Sequence, residues 1–321
     1  MSTLLPSFLT QLPRSEEAES EKDVPADCTF EHTGALGPSH VYWWPAQEAL
    51  APPRTVLLFI PGNPGLAAFY LPFLSAIHSS NSKSLAILAH THVGYWPSNP
   101  NSPGWPAEDH VGLTAQVAAL VEVIDIVAAE YGSDTNIVLA GHSMGSWLAT
   151  QVLKVRPEAI KSLLLLFPTI SNIADTPNGV ALSWLFRPYM PNLIANASRF
   201  TPWIPRIALA ALFSSYPPPQ LSVLRSLITS PRAVYASLLL ARDEMRTIRD
   251  LDIPFLHTYA DRLHFYYADE DRWVGREREK IINVLQGIQG DGPTVKVVHG
   301  PKDIPHAFCI SEILLPVRSP F

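Results

Sequence analysis

Asn136-Ile137-Val138-Leu139-Ala140-Gly141-His142-Ser143-Met144-Gly145-Ser146-Trp147 is the stretch on which the fold turns. Its first half is an apolar, β-rich run, and it passes directly into Gly-x-Ser-x-Gly. An amphipathic run with Trp147, Leu148, Val152 and Leu153 follows. That order describes a buried strand, a tight turn and a helix, the setting of a nucleophile elbow. There two glycines let strand and helix approach closely while a serine sits on a strained turn with its hydroxyl exposed. Ser143 is therefore the candidate nucleophile. The five-residue pattern alone is modest evidence, because ordinary glycine and serine frequencies produce it by chance in roughly one chain of this length in ten. The strand before it and the helix after it carry the reading.

Working outward, short apolar runs recur on both sides. Residues 28–30 and 40–44 read as opening strands around a Gly-Pro turn, and Thr55–Ile60 as a strand buried on both faces. A helix is expected over 66–78, a strand over 84–89, a loop rich in Pro, Gly and Asn over 90–109, and a helix over 111–131. Strands follow at 136–140 and 162–167. This alternation predicts an α/β fold with a mainly parallel central sheet and helices on both faces. The alternation stops over 171–252, where prolines recur among large apolar residues such as Trp184, Phe186, Phe200 and Trp203. A segment this long between strands predicts an inserted helical cap or lid. Its aromatics either pack on the core or form an exposed apolar face for lipid, the second being preferred, and the proline breaks favour short helices or a hairpin over a spanning helix. Strands resume at 263–267 and 294–298, with a charged helix over 276–289 between them. The expected organisation is a mobile tail over 1–25, a core over 26–170 and 253–321, and the cap over 171–252.

Composition excludes several classes. A net charge of −6 with no Lys/Arg cluster argues against nucleic acid as a partner. Cys28 and Cys309 are too few for a disulfide framework and lack metal-ligand spacing, so no cofactor or metal is expected. The start of the chain has no basic region of the kind a signal peptide carries. Pro, Asp or Arg interrupts the longest apolar runs, so no transmembrane span is expected.

The remaining chemistry follows from chain order. A carboxylate just past a late strand and a histidine after the last strand complete the order Ser, Asp, His. Asp269 and Asp271 compete for the acid after 263–267, and Asp271 is preferred for its place in the turn before Trp273-Val274. His306, in the loop after the last strand, is the base; it takes the serine proton while the acid fixes its tautomer. His142 fills the variable position of the elbow and shapes the site. Pro61-Gly62-Asn63-Pro64-Gly65 follows a central strand, where an oxyanion loop belongs. Pro64 has no N–H, so the backbone amides of Asn63 and Met144 are the expected donors.

Taken together, Ile60-Pro61-Gly62-Asn63-Pro64-Gly65 with Phe69-Tyr70, the elbow, Leu166-Phe167-Pro168-Thr169-Ile170 with Thr176-Pro177-Asn178-Gly179, Phe265-Tyr266-Tyr267 with Asp271 and Trp273, and His306-Ala307-Phe308 resemble the lipid droplet-associated hydrolase family. The resemblance implies an α/β-hydrolase fold with a lid and triad roles for Ser143, Asp271 and His306. It also implies work at the surface of neutral-lipid droplets, with cytoplasmic or endoplasmic reticulum pools. The expected reaction is serine-dependent hydrolysis of a neutral-lipid or sterol ester through an acyl-enzyme. Two alternatives stand beside it: a droplet-binding protein with little catalysis, and an esterase or thioesterase for a small soluble substrate.

Overall fold

The computed structural model describes residues 5–13, 24–47, 52–96, 105–288, 296–301 and 304–310. Nine strands form one sheet in the order β1-β2-β3-β5-β4-β6-β7-β8-β9. They are β1 (Thr10–Gln11), β2 (Ala26–Glu31), β3 (Pro38–Trp44), β4 (Thr55–Ile60), β5 (Leu85–His90), β6 (Asn136–His142), β7 (Ile160–Leu166), β8 (Leu263–Tyr267) and β9 (Lys296–His299). From β5 to β9 every neighbouring pair is parallel, and β1, β2 and β3 add an antiparallel flank. The centre reads as continuous apolar sequence because both of its faces are covered. All six residues of β5 and the last six of β6 are buried.

Ten α-helices accompany the strands among the described residues: α1 (Leu71–Asn81), α2 (Leu113–Tyr131), α3 (Met144–Val155), α4 (Pro177–Leu182), α5 (Met190–Ala197), α6 (Arg206–Leu212), α7 (Pro218–Ile228), α8 (Pro231–Thr247), α9 (Ile253–Thr258) and α10 (Glu277–Ile288). The expected helix over 66–78 divides into a 3-10 turn, Ala67–Tyr70, and α1. The division falls where Pro72, which lacks an N–H, is tolerated in a first helical turn. Residues 289–295, where the last strand was expected to begin, lie outside the described residues.

One expectation needs correction. Residues 5–13 are not a free tail: Thr10–Gln11 pair with β2, and Leu9 is buried in the core. Leu9 in the core, Leu5 and Phe8 packed against it and two ladder rungs hold the segment, and none of these shows as a periodic pattern in so short a run. A helical stretch, Glu108–Tyr131, is long and apolar enough to cross a membrane by length and composition. Half of its most apolar window is buried inside the fold, where it crosses over between parallel β5 and β6 and packs against α3. Its apolarity is that of a helix with a wide core-facing side.

No strand interrupts the segment between β7 and β8. It holds α4 to α9, and α8 ties it to the core. Tyr95 Oη donates to the Ala236 carbonyl at 2.6 Å, the Leu113 amide donates to Asp243 Oδ2 at 2.8 Å, and Arg242 pairs with Glu108.

Candidate active site

Parallel strands that share a direction bring the loops after their C-terminal ends to one edge. Gly62 and Asn63 follow β4, Ser143 follows β6, Asp271 follows β8 and His306 follows β9. Ser143 occupies φ 53° and ψ −123°, a backbone region that costs a side-chain-bearing residue energy and persists only when its surroundings enforce it. The enforcement is visible. A Cβ on Gly141 would lie 2.4 Å from the Gly145 carbonyl oxygen, and one on Gly145 would lie 2.3 Å from the Ile60 carbonyl oxygen. Only glycines let α3 fold back this tightly on β6 and β4.

The strained turn points Ser143 Oγ at His306 Nε2, 2.9 Å away, and His306 Nδ1 lies 2.6 Å from Asp271 Oδ2. Asp271 is nearly enclosed, its side chain 3 % exposed. Burial pushes its carboxyl pKa up, yet hydrogen bonds from His306 and from the Trp273 and Val274 amides outweigh burial and hold it below the usual carboxylate value. An ionised Asp271 makes His306 Nδ1 the protonated nitrogen and leaves Nε2 to accept the Ser143 hydroxyl proton. Asp269 faces solvent, and among the described residues only its backbone carbonyl is engaged, by Arg278. The structure therefore brings Ser143, His306 and Asp271 into one line and leaves Asp269 outside it.

The loop after β4 lies against the same turn. A Cβ on Gly62 would lie 2.9 Å from Ser143 Cβ, so a larger residue cannot stand there without displacing the elbow. Neither the Asn63 nor the Met144 amide is engaged in a hydrogen bond among the described residues. The Asn63 side chain turns toward α8, where Nδ2 donates to Glu244 Oε1 at 2.8 Å and to the Ser237 carbonyl at 2.9 Å. Both of its N–H groups are thereby used. Glu244 is 4 % exposed, and burial pushes its pKa up to about 8, so it is mostly protonated at neutral pH.

His142 has a role that its place in the elbow only hinted at. Its Nε2–H donates to the His306 carbonyl at 2.9 Å, and its Nδ1 accepts from Tyr70 Oη at 2.7 Å. Tyr70 Oη in turn accepts the Gly62 amide at 3.2 Å. Burial pushes the His142 pKa down to about 3, so the ring stays neutral and the donor and acceptor roles are fixed. One buried chain of hydrogen bonds thus ties the Gly62 loop to the backbone of His306.

Sequence reading alone missed Glu244 and passed over the role of Tyr70. A signal for Glu244 exists: Ala233, Ala236, Leu240 and Glu244 are buried along α8 at spacings of three and four, so a carboxylate stands in an otherwise apolar stripe. Tyr70 carries no such mark, since a buried tyrosine after a glycine loop is ordinary core.

A mainly parallel sheet with an elbow serine, a histidine and an acid at its C-terminal edge defines an α/β hydrolase. Solved structures share the fold: a 2-hydroxy-6-oxo-6-phenylhexa-2,4-dienoate hydrolase from Rhodococcus aligns with TM-score 0.58 and 15% identity over 90% of this chain and 94% of that one. A thermostable carboxyl esterase from Bacillus coagulans aligns with TM-score 0.53 and 16% identity over 86% and 89%. The model of the lipid-droplet associated hydrolase family matches residues 53–309, and the chain belongs to that family. It is 26% identical to the rat lipid droplet-associated hydrolase over 290 residues, 82% of each chain, and 26% identical to the Drosophila melanogaster protein of that name over 291 residues, 85% of this chain and 90% of that one.

Proposed function

We propose that this hydrolase cleaves esters of apolar acyl groups, neutral lipid or sterol ester, through an acyl-enzyme at the lipid droplet surface. The observation that carries the reading is the continuous line from Ser143 Oγ to His306 at 2.9 Å and on to Asp271 at 2.6 Å. In it, Ser143 Oγ attacks the ester carbonyl carbon as His306 Nε2 takes its proton, and Asp271 stabilises the imidazolium that forms. Negative charge moves to the former carbonyl oxygen. The Asn63 and Met144 amides, neither hydrogen-bonded elsewhere among the described residues, donate to it in this reading. Collapse expels the alcohol, protonated by His306. Water, deprotonated by the same nitrogen, then attacks the acyl-enzyme and releases the acid.

The droplet enters through the family and through the insertion over 171–252, which acts as the cap. Trp203 and Ile207 are each 81% exposed and Tyr189 is 84% exposed, an apolar display suited to a lipid surface. The test is a fluorophosphonate probe followed by a panel of triacylglycerol, sterol ester and short-chain esters. The expected result is label on Ser143 and turnover of the apolar esters. A folded protein that leaves Ser143 unlabelled would instead be a droplet-binding protein with little catalysis.

A further inference from the structure

Charge is divided along this chain in a way that the total conceals. Residues 176–242 contain six arginines, at 187, 199, 206, 225, 232 and 242, and no Asp, Glu or Lys. That stretch carries +6 inside a chain whose formal net charge is −6, so the remainder carries −12. The same stretch holds the exposed apolar side chains: Tyr189, Leu193, Phe200, Trp203, Ile207 and Leu212 are each at least 62% exposed. In α6 the usual arrangement is inverted. Leu209 is its buried residue, while Arg206, Ile207, Ala208, Ala211 and Leu212 face out. Arg187, Arg199 and Arg206 are exposed and make no ion pair among the described residues. Arg199 lies over the Trp105 ring, 5.8 Å from its centroid.

We propose that the outer face of residues 184–212 is a docking surface for a phospholipid monolayer that carries anionic headgroups, an inference that rests on the droplet reading above. Apolar side chains alone would suit a neutral lipid surface. Arginines set among them, in a stretch of sequence without Asp or Glu, add attraction to headgroup phosphate and to net negative charge, worth a factor of about five in binding per residue near such a surface. A second copy of this chain is a poor occupant, because a two-fold contact would set this positive face against itself. The division of charge also fixes orientation. An anionic monolayer attracts the insertion and repels the rest of the chain, so the loops at the C-terminal edge of the sheet, from which the insertion springs, are turned toward the lipid.

The experiment is flotation with triolein droplets coated with phosphatidylcholine alone or with added phosphatidylserine, at low and high salt. Hydrolysis of a water-soluble short-chain ester is measured alongside. The parent is expected to bind phosphatidylserine droplets more tightly, with the excess lost at high salt. The variant Arg187→Gln/Arg199→Gln/Arg206→Gln is expected to lose that excess, on the order of a hundredfold, while keeping its binding to phosphatidylcholine droplets. The variant Trp203→Ser/Ile207→Ser/Leu212→Ser is expected to lose binding to both. Hydrolysis of the soluble ester is expected to be unchanged in every variant, which shows that each one folds and separates docking from catalysis. Equal binding of the parent to both droplets, or triple-glutamine binding equal to the parent on phosphatidylserine, overturns the anionic docking surface and leaves the hydrolase reading standing. A parent that binds neither droplet overturns this surface together with the droplet reading.

Discussion

The loops at the C-terminal edge of the sheet and the insertion between β7 and β8 are both rich in large side chains, and they use them in opposite ways. At the sheet edge, Phe167 and Tyr267 are fully buried, and the polar atoms of the site hydrogen-bond one another across loops distant in sequence. In the insertion, Tyr189, Trp203 and Ile207 stand in solvent, and prolines at 188, 191, 202, 205, 217, 218 and 219 break the chain into short helices. A strand inherits its buried faces from the ladder on either side, so its apolar residues have no choice of environment. A short helix has one packed stripe and leaves the rest to whatever lies outside. Close packing thus belongs to the region that holds Ser143, His306 and Asp271 within hydrogen-bond reach, and exposed apolar surface to the region proposed above to meet lipid. The helix α8 belongs to both: it lies in the insertion, yet it grips Asn63 through Glu244.

Breaking the sheet edge is expected to produce the largest effect. Ser143→Ala removes the proposed nucleophile and is expected to abolish probe labelling and lower kcat by a factor on the order of 10⁶, the scale of the same change in a serine protease. Thermal unfolding is expected to be unchanged, because one partly exposed hydroxyl is lost; retained labelling would move the nucleophile elsewhere. Asp271→Asn comes next. It keeps the shape but frees His306 to settle in the wrong tautomer, with an expected loss of about 10⁴-fold in kcat. Asp269→Asn, at an exposed residue, is expected to change little, and the reverse ranking would reassign the acid.

Glu244 tests whether the two regions are coupled. Glu244→Ala leaves Asn63 Nδ2 without its acceptor, and a small displacement of the loop is expected to lower kcat by up to about a hundredfold with little change in KM. Glu244→Gln keeps an oxygen acceptor and is expected to restore most of that loss; equal losses in both variants would assign the effect to packing alone. The same pair predicts a pH signature. Folded Glu244 holds its proton up to about pH 8, whereas the unfolded chain releases it near 4.5. The native state therefore loses stability as pH rises from about 4.5 to about 8, and the loss levels off above that. Glu244→Gln lacks this term, so its Tm relative to the parent is expected to rise across that window. The smallest effect belongs to the far side of the insertion. Trp203→Ser is expected to change stability by no more than about 0.5 kcal/mol by chemical denaturation; a loss of several would show that the side chain is packed after all.

Much of this was legible in the sequence because it is local. The strand Asn136–His142 and the turn at Ser143 announce themselves through glycines that no other residue can replace. The order of elements then places Asp271 and His306 after β8 and β9. The parallel sheet follows from alternating strand and helix lengths, which short-range sterics and periodicity set. Three features were legible only in part or not at all, and each depends on neighbours remote along the chain. The turn before Trp273-Val274 favours Asp271 over Asp269, but the contact itself depends on which carboxylate the loop presents to His306, 35 positions away. The pairing of Thr10–Gln11 with β2 leaves no pattern in two residues. The link between Asn63 and Glu244 spans 181 positions. Periodicity and turn chemistry register what a residue does with its near neighbours. Which polar group meets which across a packed core is set by where the elements dock, and there burial makes an unpaired donor or acceptor costly.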